Sequence, residues 1–308
     1  MCLISKVPFF VLIFFLLFFL ASDCLPAADP YKILCERNSL YQYFTVIESV
    51  IKGERYLVAK KRGFRQGGIL IDAPEKLLLD YTKTAFVGLA FLNKDPQRAL
   101  FIGLGVGAMP RFFRKHYPNS QMEIVELDPE ILDVAREYFF FPQDQNIPVH
   151  IADGRAFLKR TSEKYDIVFI DAYRENYIPF HLTTIEFLRE VRKNLSEEGV
   201  VVSNISIPPW TKLFHSFLKT YSEAFHHLSV FISKGSGNFI FVTVLDENRG
   251  IQKDVLKRAG EIDLSKKWDI SLSERAEYKM DLSDERVEKG KLLTDDFAPV
   301  NIYRLQKQ

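Results

Sequence analysis

The residues best suited to chemistry lie in the middle of the chain, and they are glycines and carboxylates. Gly103, Gly105 and Gly107 stand in FIGLGVG (101–107), directly after an apolar run. Three glycines there let the backbone turn tightly against a ligand. The helix expected next aims its free amide groups at the same point. Glu126 and Asp128 close IVELD (124–128), about two dozen residues beyond Gly103. A carboxylate at that spacing, at the end of a second strand, accepts hydrogen bonds from ribose hydroxyls. Asp153-Gly154 and Asp171 close two further apolar runs, at 148–153 and 165–172. Asp153 is placed to receive an adenine amino group, and Asp171 faces the same crevice. Four strand ends presenting polar groups on one rim is how an open α/β sheet builds a ligand site. A glycine loop alone suits a nicotinamide dinucleotide as well as an adenosyl sulfonium; the acids on the third and fourth strand ends favour the sulfonium. His150, His181, His226 and His227 are scattered and read as surface or core residues. No His, Cys or carboxylate group has metal-ligand spacing, so no metal site is expected.

These residues need a scaffold, and the apolar patterning supplies one. From Arg98 the chain alternates buried strands with helices: strands at 98–105, 121–128, 148–153, 165–172 and 199–205, and helices at Pro110–Tyr117, Pro129–Phe140, Arg155–Arg160, Thr183–Asn194 and Trp210–Tyr221. Pro110 and Pro129 sit near helix starts, and Thr183 with Glu186 has the spacing of a capping box. Strands at 226–233 and 238–246, joined by Lys234-Gly235-Ser236-Gly237, read as an antiparallel pair at one edge of the sheet. Ahead of this unit, 41–49 and 54–61 alternate as strands around a Lys52-Gly53 turn, and Leu77–Phe91 reads as a helix. The fold class expected is therefore α/β: a Rossmann-like, class I methyltransferase-type seven-stranded sheet preceded by a small antiparallel β-domain. The domains are drawn as a leader at 1–28, the β-domain at 29–75 and the Rossmann-like catalytic domain at 76–308.

The charge balance, 41 basic against 40 acidic side chains, gives no pull toward nucleic acid. Lys6 precedes fifteen unbroken apolar residues, Val7–Ala21. That length suits a signal-peptide core or a short anchor better than a full span of ~20 residues. The expectation is a membrane-associated or exported protein, with a place on the cytoplasmic face left open. Of the three cysteines, Cys2 and Cys24 fall in or beside this leader and Cys35 reads as an ordinary small apolar residue.

Taken together, NSLYQYFTVIE (38–48), GFRQGG (63–68), FIGLGVG, VELD (125–128), ADGRAFL (152–158), YDIVFIDAY (165–173) and LTDDFAPV (293–300) resemble the spermidine synthase family, and more closely its divergent branch often joined to membrane segments. The resemblance implies an aminopropyltransferase that uses decarboxylated S-adenosylmethionine as cosubstrate, with no tightly bound cofactor. It implies Gln42 near the donor's tail, Glu126 on the ribose, Asp153 on the adenine, Asp171 as the catalytic aspartate and Tyr81 lining the acceptor pocket. It also implies a small-molecule amine acceptor and a homodimer. The chain departs from the family pattern at Val106 and Arg174, where the family carries Asp, and at Thr82-Lys83, where an acid or amide is usual. Two other readings stay open: a methyltransferase using intact S-adenosylmethionine, and a non-catalytic adenosyl-binding module at a membrane. A nicotinamide-dependent dehydrogenase is weakened by the β-domain, Asp153-Gly154 and the carboxy-terminal hairpin.

Overall fold

The computed structural model describes residues 31–49, 52–59, 64–172, 179–246, 249–300 and 302. Four strands open the chain: β1 (Tyr31–Asn38), β2 (Tyr43–Ser49), β3 (Glu54–Ala59) and β4 (Phe64–Leu70). They form one antiparallel sheet in chain order. β2 and β3 correspond to the alternating runs; β1 and β4 have no such clean signature. β1 is partly exposed along its length, so no period-2 burial marks it. β4 carries Gly67 and Gly68, which are poor strand formers in isolation. Both are used for close approach: a Cβ on Gly67 would lie 2.8 Å from Val106 Cγ1, and one on Gly68 would lie 2.6 Å from the Tyr56 ring.

The second sheet has seven strands in the order β10-β11-β9-β8-β5-β6-β7. They are β5 (Arg98–Ile102), β6 (Gln121–Glu126), β7 (Val149–Ile151), β8 (Tyr165–Ile170), β9 (Leu195–Ile205), β10 (His227–Ser233) and β11 (Asn238–Val244). β7, β6, β5, β8 and β9 run parallel, and β11 and β10 continue the sheet antiparallel, as the hairpin pattern predicts. The middle residues of the central parallel strands, among them Phe101, Ile124, Val168 and Val201, are apolar and buried because both faces are covered. Along β5, Ala99 and Phe101 enter one core, shared with the inner face of the small sheet, while Leu100 and Ile102 enter the other. Phe101 stacks on Phe169 at 4.7 Å between ring centroids. Truncating a ring buried this way costs about 3–5 kcal/mol.

The helices are α1 (Asp80–Ala85), α2 (Ala108–His116), α3 (Pro129–Tyr138), α4 (Gly154–Arg160), α5 (Ile185–Lys193), α6 (Lys212–Ala224), α7 (Gln252–Lys266), α8 (Leu272–Glu277) and α9 (Asp284–Glu288). The predicted helix over 77–91 is shorter: α1 passes at Phe86 into a 3₁₀ turn, Phe86–Phe91. All six of those residues are buried, and Gly88 lies so close to Val202 that a Cβ would come within 2.2 Å of it. The α5 cap is Thr184 rather than Thr183, its hydroxyl accepting the Phe187 amide hydrogen. Glu186 does not reach back; it accepts the amide of Asp295 instead.

The small sheet is fastened to the large one by charged groups. Arg37 on β1 bridges Glu130 and Glu137 on α3, and Arg55 on β3 bonds the Tyr138 carbonyl and Glu48. Cys35 is a half-buried free thiol. The expectation of a membrane-associated or exported protein is corrected: among the described residues no helix is long and apolar enough to cross a membrane. Val7–Ala21, on which that expectation rested, lies outside the described residues.

Candidate active site

The parallel sheet changes winding direction between β5 and β8, and ligands bind outside the strand ends at such a switch point. The Gly103 amide donates to Val125 O at 2.8 Å, and the Asp171 amide to Ile102 O at 2.9 Å, so three strand ends are bound together. Gly103 takes φ +100°, and a Cβ there would sit 2.2 Å from the Asp171 carbonyl oxygen. Only glycine fits where β5 passes the end of β8.

A cavity of about 350 Å³ opens at this point. Every sequence-predicted site residue except Gly107 lines it: Gln42, Tyr81, Gly103, Gly105, Glu126, Asp128, Asp153, Gly154 and Asp171. Gly107 instead caps α2 at φ +72° and packs on the Phe141 ring. Among the described residues, no Lys or Arg lines the cavity. Its surroundings are acidic, which suits a cationic ligand.

Glu126 accepts the amide hydrogens of Leu104 and Asp128, each at 2.9 Å, and so braces the glycine loop. A carboxylate has about four acceptor sites, which leaves capacity for ribose hydroxyls. Burial pushes the Glu126 carboxyl up from the usual carboxylate range, the two amides opposing it. Asp128 is buried, and each of its oxygens holds the scaffold: one caps α3 through the Glu130 amide at 3.1 Å, the other accepts the Ser39 hydroxyl at 2.6 Å. Ser39 Oγ in turn accepts the amides of Tyr41 and Gln42, so Asp128 holds the β1–β2 turn over the cavity. Gln66 donates its amide to Gln42 Oε1 at 3.0 Å, joining two polar side chains on the small-sheet side.

Asp153 caps α4 through the Ala156 amide and meets His181 Nε2 at 2.6 Å. His181 holds the Asp153 carboxyl below its ordinary value. The sequence marks this histidine as no more than a surface or core residue, and the structure puts it in the cavity. The signal available was its place in the segment that follows the fourth strand end. Arg155 donates two hydrogen bonds to Asp295, at 2.7 and 2.6 Å, and Thr184 adds a third at 2.8 Å. The LTDDFAPV stretch therefore clamps the α4 and α5 starts beside His181.

Asp171 stands on the cavity floor. Tyr81 donates its hydroxyl to Oδ2 at 3.1 Å and Asn204 donates its amide to Oδ1 at 2.8 Å. Burial raises the Asp171 carboxyl above its ordinary value, and these two donors partly offset it. Burial also raises the Tyr81 phenol well above its ordinary value, with the Asp171 charge adding to it, so the hydroxyl stays a donor at neutral pH. No motif singles out Asn204, although it sits near the end of the fifth strand of the α/β run, where the strand-end rule reaches it. Arg174 lies outside the described residues.

The spermine/spermidine synthase domain matches residues 81–249. A polyamine aminopropyltransferase of Vibrio vulnificus is 34% identical over 278 residues, covering 88% of this chain and 91% of that protein. The spermidine synthase of Thermotoga maritima superposes with a TM-score of 0.62 at 18% identity, over 84% of this chain and 87% of that one. Human methyltransferase-like protein 13, solved in complex with SAH, superposes with a TM-score of 0.56 at 26% identity, over 67% and 96%. The Vibrio relative bears out the family without its membrane-joined branch.

Proposed function

The chain belongs to the spermine/spermidine synthase family, and on that premise we propose that it transfers an aminopropyl group from decarboxylated S-adenosylmethionine to an amine. The observation that carries the reading is the carboxylate-lined cavity at the strand ends, with the Asp171 carboxylate held by Tyr81 and Asn204 on its floor. The donor is a sulfonium with a positively charged tail, and the acceptor is an amine; an acidic cavity suits both.

The chemistry is an in-line displacement. The lone pair of a neutral amine attacks the propyl carbon bonded to sulfur. A C–N bond forms, the C–S bond breaks, and its electron pair stays on sulfur, which leaves as neutral methylthioadenosine. The attacking nitrogen becomes an ammonium and gives its proton to Asp171. A carboxylate raised above its ordinary value by burial is a better acceptor for that proton than one in water. Alignment of nitrogen, carbon and sulfur supplies much of the remaining rate. Glu126 is assigned to the ribose, Asp153 with His181 to the adenine end, and Gln42 with Gln66 to the donor's tail. The donor arrives as a cosubstrate rather than a resident cofactor.

Intact S-adenosylmethionine carries an extra carboxylate, and no Lys or Arg lines the described cavity to receive it. The decarboxylated donor fits better for that reason. Methyl transfer from the intact donor is the second reading, favoured by the likeness to the SAH-bound human protein. A homodimer belongs to the proposal too; β1 is a sheet edge with Tyr31 and Ile33 exposed, and light scattering at micromolar concentration reads it directly. Calorimetric titration of the full chain with both donors separates the two readings. Tighter binding of decarboxylated S-adenosylmethionine supports aminopropyl transfer, and tighter binding of the intact form supports methyl transfer.

A further inference from the structure

The antiparallel hairpin β10–β11 gives no residue to the cavity wall, yet one of its side chains is coupled to the reaction centre. Asn204 sits on β9, nearly buried, and its Nδ2 donates to Asp171 Oδ1 at 2.8 Å. An amide has two ends of similar size, and its oxygen turned toward a buried carboxylate would be repelled. What keeps the donor end forward is Asn238 at the start of β11. Its Nδ2 donates to Asn204 Oδ1 at 2.8 Å in a fully buried contact. Register makes this possible. Asn204 pairs with Ile240 across the strands, so Asn238, two residues earlier, is its diagonal neighbour on the same face. With Asn204 on one oxygen and Tyr81 on the other, the Asp171 carboxylate cannot swing, and its free lone pairs are directed at the cavity.

We propose that Asn238 and Asn204 form a positioning relay that orients the Asp171 carboxylate toward the reacting amine, with Asn238 acting only through Asn204. The relay rests on Asp171 being the group that receives the amine's proton, so its test has two independent readouts. One is the titration of the Asp171 carboxyl followed by carbon-13 NMR, the signal assigned by its loss in Asp171→Asn. The other is the pH dependence of kcat/KM for aminopropyl transfer. The titratable groups sharing the cavity are Tyr41, Tyr81, Glu126, Asp128, Asp153 and His181, all left in place.

Asn204→Ala removes a hydrogen bond to a charged group and raises the Asp171 midpoint by about one pH unit. Asn238→Ala leaves the Asn204 oxygen without its anchor, loosens the Asn204 bond to Asp171, and raises the midpoint by roughly half a unit, in the same direction. The double variant shifts no further than Asn204→Ala alone, whereas two independent packing defects would add. The acidic limb of kcat/KM moves up with the midpoint, and kcat falls while the donor KM holds. If Asn238→Ala fails to fold, Asn238→Leu removes the same donor while keeping the branched shape of the side chain. A midpoint unmoved by Asn238→Ala or →Leu, or additive shifts, overturns the relay. If the midpoints shift as stated but the wild type transfers no aminopropyl group, the relay stands and the reading of the reaction falls.

Discussion

Replacing Asp171 by Asn keeps the shape of the site and removes its charge, so it separates what Asp171 does for the reaction from what it does to the fold. The Asn side chain can still be satisfied: its oxygen accepts from Asn204 and its amide donates to the Tyr81 oxygen, in place of the two bonds at 2.8 and 3.1 Å. For the reaction, the loss is that of a proton acceptor, typically 10²–10⁴-fold, or about 3–5 kcal/mol of barrier. For the fold, the sign is the reverse. Burial raises the folded-state value of Asp171 above its unfolded value. Below the ordinary carboxylate range both states are protonated and the group costs nothing. As pH rises through that range toward the raised value, ionisation favours the unfolded chain, and above the raised value the cost is complete. Asp171→Asn should therefore be more stable than wild type at pH 8, by on the order of 1 kcal/mol, or roughly 2–4 °C in Tm. The difference should fade toward about pH 4. Urea unfolding at both pH values and methylthioadenosine release measure the two halves. A variant within tenfold of wild-type rate, or one less stable at pH 8, would refute the reasoning.

Gly103→Ala should cost about 1–3 kcal/mol and lower kcat more than tenfold, because its Cβ would drive into the Asp171 carbonyl. Gly105→Ala is the control for the stability loss, since a Cβ there meets nothing within 4 Å and adds only the strain of a positive φ. Asp153→Ala removes the α4 cap, worth about 1 kcal/mol by thermal denaturation, and releases His181. Calorimetry with methylthioadenosine should show about tenfold weaker binding, equivalent to one lost hydrogen-bonding group. Arg155→Ala should cost about 1 kcal/mol in urea unfolding, reduced by the partial exposure of Asp295. Arg155 holds the Asp295 carboxyl below its ordinary value. That stabilisation is present above the ordinary carboxylate range and is lost as pH falls through the depressed value, so the variant's pH dependence there should be flatter.

The sequence is most legible where long apolar runs end in a glycine or an acid. FIGLGVG, IVELD and FIDA mark strand ends because the middle of a buried parallel strand is apolar and its ligand-facing end need not be. Residues that act through space are harder to read. His181 meets Asp153 from 28 residues along the chain, and Arg155 meets Asp295 from 140; no local period announces either. Asn238 reaches Asp171 only through Asn204, and that depends on the register of an antiparallel pair. Thr183 with Glu186 has the capping-box spacing, yet Thr184 caps the helix and its hydroxyl donates to Asp295, a contact no local pattern announces. β1 was hidden because partial exposure along the strand erases alternation. The expectation of membrane association or export rests on the hydropathy of Val7–Ala21 alone, and the Vibrio relative, matched over 88% of this chain, overturns it.

The central claim is transfer of an aminopropyl group with Asp171 taking the proton. The most direct measurement is mass-spectrometric analysis of a reaction containing the full chain, decarboxylated S-adenosylmethionine and a panel of mono-, di- and triamines. The expected result is methylthioadenosine together with an amine heavier by one aminopropyl unit, both lost in Asp171→Asn. Formation of a methylated product from intact S-adenosylmethionine, with no aminopropylated amine from the decarboxylated donor, would contradict it.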